Sequence, residues 1–154
     1  MRVFVAICEG PHDAAFIGKV LRSNGYELNT GRVDGFPYPI NDMIKSAIKK
    51  AAMDVDHIDQ GISKPIIPRY VYMGNNSVVC IHSIGGLENT KTIGYYIIDT
   101  YELYSEQLEL TGNVDNVEGI TYLVFCDADN EGVEKRIAQI RQQYGTKYAI
   151  PYET

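Results

Sequence analysis

The chain has 154 residues, a length typical of one domain. A unit of this size buries about two-thirds of its unfolded-chain surface, which is enough for a hydrophobic core. Hydrophobic residues make up 45% and charged residues 22%, which argues against disorder. The formal charge is −6, whereas chains that hold nucleic acid by electrostatics alone are usually basic. No apolar run approaches the roughly 20 residues of a membrane span, and the N-terminus is no secretory signal.

The three cysteines, Cys8, Cys80 and Cys126, are too widely spaced for a disulfide framework or a paired zinc motif. Each lies in an apolar run, so we expect buried free thiols, which suit a reducing cytoplasm. A catalytic cysteine is the alternative, although the spacing pairs no histidine with a particular thiol.

The N-terminal segment predicts a strand, a turn and a helix. Residues 3–8 are a continuous apolar run, typical of a strand buried on both faces in a parallel sheet. Gly10 and Pro11 end this run, and Asp13 can cap a helix that ends at an Asn-Gly pair, 24–25. The apolar stripe of that helix comprises Phe16, Ile17, Val20 and Leu21.

The middle of the chain predicts a short strand, two helices and a hairpin. Residues 27–33 predict the strand, and a helix with exposed lysines follows the prolines at 37–39. Residues 66–73 and 77–84 flank Gly-Asn-Asn, a turn signal for a β-hairpin. A long helix is then predicted over 89–110, with its core side formed by Ile93, Tyr96, Ile97, Thr100, Tyr101 and Tyr104.

The C-terminal third again predicts a strand followed by a helix. Residues 120–126 predict a second strongly apolar strand, and a helix follows with Val133, Ile137 and Ile140 on one face. A last short strand is predicted over 147–150. Strands that alternate with helices favour an α/β fold with a mainly parallel sheet, to which the hairpin adds an antiparallel element.

Carboxylates follow two of the predicted strands directly. Glu9 follows the first strand, and Asp127 and Asp129 follow the strand at 120–126. Ligands of open α/β sheets bind outside the carboxyl ends of the strands. If the two strands are neighbours, three carboxylates meet at one edge, where they repel one another unless a cation neutralises them. Because Mg²⁺ takes one or two carboxylates and meets substrate phosphates, we expect Mg²⁺ or Mn²⁺ there.

Three other interpretations of these residues stay open. Asp13 and Asp129 can simply cap helices. The loop from Asp127 to Gly132 matches the first half of an EF-hand, but Ala138 stands at its twelfth position and a strand precedes it. Asp127 can also be the nucleophile of a phosphotransferase, although the sequence does not place the partners that such a site needs.

Two motifs carry a family resemblance. Residues 5–17, VAICEGPHDAAFI, resemble the first motif of the Toprim family, a hydrophobic strand that ends in Glu-Gly with an acidic residue before a helix. Residues 122–132, YLVFCDADNEG, resemble the second motif, a strand that ends in Asp-x-Asp, and their final Glu-Gly is similar to the type IA topoisomerase form. The resemblance implies a single Toprim-like domain over 1–154: a Rossmann-like, mainly parallel sheet flanked by helices, with a hairpin insertion.

The resemblance also implies roles for individual residues. Glu9 matches the glutamate proposed as general acid or base and as a metal ligand in nuclease members. Asp127 and Asp129 match the metal-binding aspartates, and Glu9 and Asp127 are the expected catalytic residues. Asp13 matches an extra acidic position that helps some nucleases bind metal.

Gly10 and Gly132 match the family's turn glycines. Two features depart from the family pattern. The stretch between the motifs is longer than in compact members, and the chain stops soon after the second helix, which is typical of a minimal or truncated module.

The function that this resemblance implies is Mg²⁺-dependent phosphodiester chemistry by a small nuclease. A topoisomerase is disfavoured, because it needs a nucleophilic tyrosine on a separate domain. A primase is disfavoured, because it needs a zinc module. The alternative is a non-catalytic scaffold that binds nucleic acid or a partner protein. Because the chain is acidic, we expect weak, metal-dependent affinity for DNA or RNA unless basic residues gather near the site: Lys45, Lys49, Lys50, Arg136 and Arg141.

Overall fold

The computed structural model describes residues 1–30, 33–36, 40–42, 44–45, 48–49, 68–85, 97, 101, 117–127 and 132–145. These residues include a five-stranded sheet and two helices with defined bounds. Between the first helix and the third strand, Val33–Gly35 forms a 3-10 turn. The strands are β1 (Arg2–Cys8), β2 (Glu27–Leu28), β3 (Tyr70–Gly74), β4 (Ser77–Ser83) and β5 (Gly119–Phe125), and the helices are α1 (Pro11–Ser23) and α2 (Val133–Gly145).

The order of the described strands is β2-β3-β4-β1-β5. β1 pairs in parallel with β4 on one side and with β5 on the other, so that Val5 lies opposite both Cys80 and Tyr122. β3 pairs antiparallel with β4 and with β2. The α/β class is therefore confirmed. The prediction of a mainly parallel sheet is not confirmed, because the hairpin and β2 make half of the described pairings antiparallel.

β1 is deeply buried, because its apolar residues are covered on both faces of the sheet. Val3, Val5 and Ile7 lie on one face, and Ala6 and Cys8 lie on the other, each 0–1% exposed. Full burial of such aliphatic side chains contributes about 1.5–3 kcal/mol each. Core residues on the first face include Val78, Cys80, Ile40, Ile44 and Ile97.

α1 packs on the second face, over β1, β3 and β4 rather than over β5. Ala14, Ile17 and Gly18 are its buried residues. A Cβ at Gly18 would contact the Tyr72 hydroxyl and lie 3.0 Å from ring atom Cζ, so glycine lets helix and sheet approach closely.

Two residues of the predicted apolar stripe on α1 are not in the core. Phe16 is 68% exposed and Val20 is 45% exposed, whereas Ile17 is buried and Leu21 is half-buried. The physical reason is the position of the helix, which leaves the α1-facing side of β5 and the neighbouring flank of α1 exposed.

The predicted hairpin is confirmed. Asn75 and Asn76 connect β3 to β4 with φ values of 49° and 55°, the left-handed pair typical of a two-residue hairpin turn. The predicted strand at 27–33 is shorter than expected. Among the described residues of that range, Glu27–Leu28 is strand, the Asn29 N–H still donates to the Val71 carbonyl at 2.9 Å, and Val33 belongs to the 3-10 turn.

Described residues of the two central helical segments agree in part with the prediction. Ile97 is helical and buried, but Tyr101 is 52% exposed, so its place on the core side was wrong. A tyrosine can pack with part of its ring while its hydroxyl stays in water. Lys45 and Lys49 are exposed as predicted, and the Lys45 ammonium lies 2.6 Å from the Asp34 carboxylate.

Several predictions fall on residues outside the described ranges: Asp129, Lys50, the prolines at 37–39 and the strand at 147–150. Among the described residues, the helices lack the length and apolar character needed to cross a bilayer.

The stability of this fold should depend on pH through His82. This residue lies opposite Ile7 in the ladder and is 3% exposed. Burial lowers its pKa from 6.5 to about 4, so the unfolded chain takes up a proton at a pH where the folded chain does not. As the pH falls from 6.5 towards 4, we expect the free energy of unfolding to drop by up to about 1.4 kcal/mol per pH unit from this residue.

Urea unfolding of the wild type and His82→Gln at about pH 7 and about pH 5 measures this contribution. The wild type should lose more stability between the two pH values than the variant, because glutamine does not titrate. Equal losses in the two proteins would contradict it.

Candidate functional site

The predicted convergence of the two acidic strand ends is confirmed. β1 and β5 run parallel with Cys8 opposite Phe125, so the residues after them share one edge of the sheet. There the Asp127 backbone N–H donates a hydrogen bond to Glu9 Oε1 at 3.0 Å, across 118 positions of sequence. A carboxylate acceptor makes such a bond shorter and stronger than a neutral one.

Glu9 is held from the other side as well. Its carbonyl oxygen accepts the Gly85 N–H at 2.8 Å, and the Cys8 carbonyl accepts the Ile84 N–H at 3.0 Å. These bonds continue the pairing of β1 with the segment after β4 beyond the strand ends. Glu9 is therefore held on two sides: the segment after β4 bonds its backbone, and the Asp127 amide bonds its carboxylate.

The Asp13 side chain stabilises the N-terminus of α1. The helix N-cap is Gly10, and Asp13 lies at the third helical position, where its Oδ2 accepts the Gly10 N–H at 2.9 Å. The prediction that Asp13 is itself the cap residue is thus wrong by three positions, because its side chain reaches back to the cap. Its negative charge also suits the positive end of the helix dipole.

The two turn glycines differ in backbone conformation. Gly132 has φ +82°, in the left-handed region that disfavours side chains. Gly10 has φ −133°, an extended conformation, and a Cβ there would lie 3.6 Å from Asp13 Oδ2, an ordinary contact. Glycine is therefore required by the backbone at the start of α2 but not at the start of α1.

Three charged groups act on the half-buried Cys126 at the end of β5. Burial raises the pKa of this thiol, and the carboxylates of Glu9 and Asp127 raise it further. The Arg136 guanidinium on α2 opposes them and lowers the pKa. The acidic edge therefore has a cation beside it.

The alternative of a catalytic cysteine is disfavoured. Burial raises the pKa of Cys8 to about 11 and that of Cys80 to about 12. The Cys8 thiol donates to the His82 carbonyl at 3.3 Å, which uses the protonated form. The thiolate is the nucleophilic form of cysteine, so these thiols are inert at neutral pH.

A cavity of about 420 Å³ opens beside the acidic edge, between α1, the end of β5 and α2. It combines apolar side chains with charged ones. Its lining includes Asp13, Phe16, Phe125, Asp127, Val133 and Arg136.

The described residues at this edge supply only some of the oxygen ligands that a hard cation needs. Within the described ranges, no three Asp, Glu, His or Cys side chains are arranged to hold a metal ion. Asp129, which the resemblance adds to the set, lies outside them. Glu9 and Asp127 supply two carboxylates, which is the number that Mg²⁺ commonly takes while it keeps several waters.

Of the five basic residues considered from the sequence, Arg136 is the one placed in the cavity. Lys45 pairs with Asp34 instead, and the side chains of Lys50 and Arg141 lie outside the description. The predicted face of this helix, with Val133, Ile137 and Ile140, does not include Arg136. The spacing of three between Val133 and Arg136 could have indicated a shared side, because residues three apart are neighbours on a helix surface.

Phe16 and Phe125 were also missed, because each belongs to an apolar run that predicts core. A usable signal was present on α1, since Phe16 comes three positions after Asp13 and therefore lies beside it on the helix surface.

Comparisons of the chain with protein-family models, with curated proteins and with solved structures found no match. The functional assignment therefore depends on the chemistry of this edge: an α/β domain with two carboxylates, one arginine and an adjoining cavity.

The same substitution at the two glycines should have opposite effects. Gly132→Ser places a side chain in the left-handed region and should lower the free energy of unfolding by roughly 1–2 kcal/mol. Gly10→Ser introduces a preferred N-cap residue in a compatible extended backbone and should leave stability unchanged or raise it. Urea unfolding at neutral pH measures both, and a larger loss in Gly10→Ser would show that the turn assignments are reversed.

Proposed function

We propose that this protein is a small Toprim-like nuclease that cleaves phosphodiester bonds in nucleic acid with Mg²⁺ or Mn²⁺ held at the Glu9–Asp127 edge. The observation that carries the proposal is the 3.0 Å hydrogen bond between the Glu9 carboxylate and the Asp127 amide. It sets the ends of both family-like motifs side by side, which supports a shared ion at this edge.

The residues divide the work between ligation and proton transfer. Asp127 is exposed, and Glu9 is half-buried beside it. Both would hold the metal, with Asp129 as a further ligand and Asp13 in support, although one oxygen of Asp13 already accepts the Gly10 N–H. When bound, the ion polarises the phosphodiester and lowers the pKa of a coordinated water.

Glu9 is also the best-placed proton carrier of the described carboxylates. Its Oε1 accepts the Asp127 amide, which orients the group and directs its proton-accepting chemistry to the other oxygen. A positioned carboxylate that takes a proton from water in the transition state typically contributes a factor of about 10²–10⁴. Arg136, in the adjoining cavity, suits a phosphate oxygen as its partner.

A non-catalytic scaffold is the second candidate, and the outer strand favours it. Leu123 is 38% exposed and Phe125 is 42% exposed on the α1-facing side of β5, which lies at the edge of the described sheet. An uncovered edge strand with apolar side chains is suited to contact with a partner protein. In that case the carboxylate edge would bind metal without cleavage.

Removal of either carboxylate should abolish cleavage and leave the fold intact. Asp127→Asn and Glu9→Gln should each lower Mg²⁺-dependent cleavage of DNA or RNA by at least about 100-fold. The amide oxygen of the new glutamine can still accept the Asp127 N–H, so the unfolding midpoint should change little. Single- and double-stranded DNA and RNA, each with Mg²⁺ and with Mn²⁺, form the substrate panel.

Glu27→Gln is the matched control, because it removes the same charge from an exposed residue of β2 at the opposite edge of the sheet. This variant should keep wild-type activity. Undiminished cleavage in both site variants would discard the assignment. Calorimetric binding of Mg²⁺ by a wild type that cleaves none of the substrates would favour the scaffold.

A further inference from the structure

We propose that the cavity between α1 and α2 accepts one unpaired nucleobase next to the phosphodiester that is cleaved, so that the substrate is single-stranded or locally unpaired nucleic acid. This inference rests on the proposed function for the reaction itself. The observations that carry it are the exposed apolar lining, the size and the charge of the cavity.

The first observation is the exposed apolar lining. Phe16 is 68% exposed, Val133 is 63% exposed and Phe125 is 42% exposed, yet all three line the same cavity. They come from α1, α2 and β5, so the chain brings together three side chains that would each gain from burial. An aromatic ring in such a position is a stacking surface for any base, because every base has a π-face.

The second observation is size. The cavity measures about 420 Å³, at the lower end of the roughly 300–1,000 Å³ of small-molecule sites. A single base with part of its sugar suits this space, and a duplex does not. A paired base would have to be flipped out of its stack before it could enter, and flipping costs least where the base is already unpaired.

The third observation is charge. The chain carries a net charge of −6, so attraction between its surface and a phosphate backbone is weak. Affinity must then come from contacts other than long-range attraction, and stacking in an apolar cavity supplies it. Arg136 places one cation in the same cavity, suited to the phosphate that flanks the base, and Asp127 links the cavity to the acidic edge.

The test measures binding rather than cleavage. The probe is a ten-nucleotide single strand with one 2-aminopurine and hydrolysis-resistant phosphorothioate linkages, titrated with the full chain in Mg²⁺. Stacking of 2-aminopurine on an aromatic side chain should quench its fluorescence. Phe16→Ala should weaken binding about tenfold and reduce the quench, whereas Phe16→Trp should retain both.

Val20→Ala is the matched control, since Val20 is an exposed apolar residue of the same helix and is not part of the cavity lining. It should bind like the wild type, and the duplex form of the probe should bind more weakly than the single strand. Absence of binding, equal affinity for duplex, or equal effects of Phe16→Ala and Val20→Ala would each overturn the base cavity.

Cleavage by the same proteins separates this inference from the proposed function. If Asp127→Asn abolishes cleavage but Phe16→Ala binds like the wild type, the nuclease stands and the base cavity falls. If Phe16→Ala loses binding selectively while the wild type cleaves nothing, the base cavity stands and the nuclease falls.

Discussion

The parallel pairing of β1 with β5 is the constraint on which the candidate site depends. It sets Cys8 opposite Phe125. As a result, the Asp127 amide donates a hydrogen bond to Glu9 Oε1, although the two residues lie far apart in the chain. The pairing is secured by the burial of β1 itself, whose alternate residues face separate cores. A change that shifted this register by one residue would separate the carboxylates and turn the core residues to the wrong faces.

The edge has two chemically different parts, which under the proposed function would let an acidic chain act on a polyanion. Glu9 and Asp127 carry the charge that attracts a cation, and a bound cation would in turn attract phosphate. Beside them, Phe16, Phe125 and Arg136 line one cavity, and under the proposed function the two rings would stack on a base whatever the net charge of the chain. The same apolar surface, if it met a protein instead, would serve the scaffold alternative, so the two candidate functions differ in what covers it.

Strong local signals predicted the parts of the fold that depend on neighbouring residues. The apolar run of β1, the Asn-Asn turn of the hairpin and the end of α1 at Asn24 all agree with the structure. The exposure of Phe16 could not be predicted in this way, because it depends on how far α1 extends across the sheet. The mixed sheet has a similar cause, since the antiparallel share depends on β2 finding a place beside β3. At the site, strand ends predicted Glu9 and Asp127, but Arg136 depends on how α2 approaches α1.

A Mn²⁺ titration followed by NMR tests the central claim most directly, because a bound paramagnetic ion broadens nearby amide signals. At sub-stoichiometric Mn²⁺, the account predicts that the amides of Glu9 and Asp127 broaden first and together. Glu118 and Asp34 serve as internal references, because they are exposed carboxylates paired with cations elsewhere. Broadening that spares either Glu9 or Asp127, or that affects the reference residues equally, would contradict a shared ion at this edge.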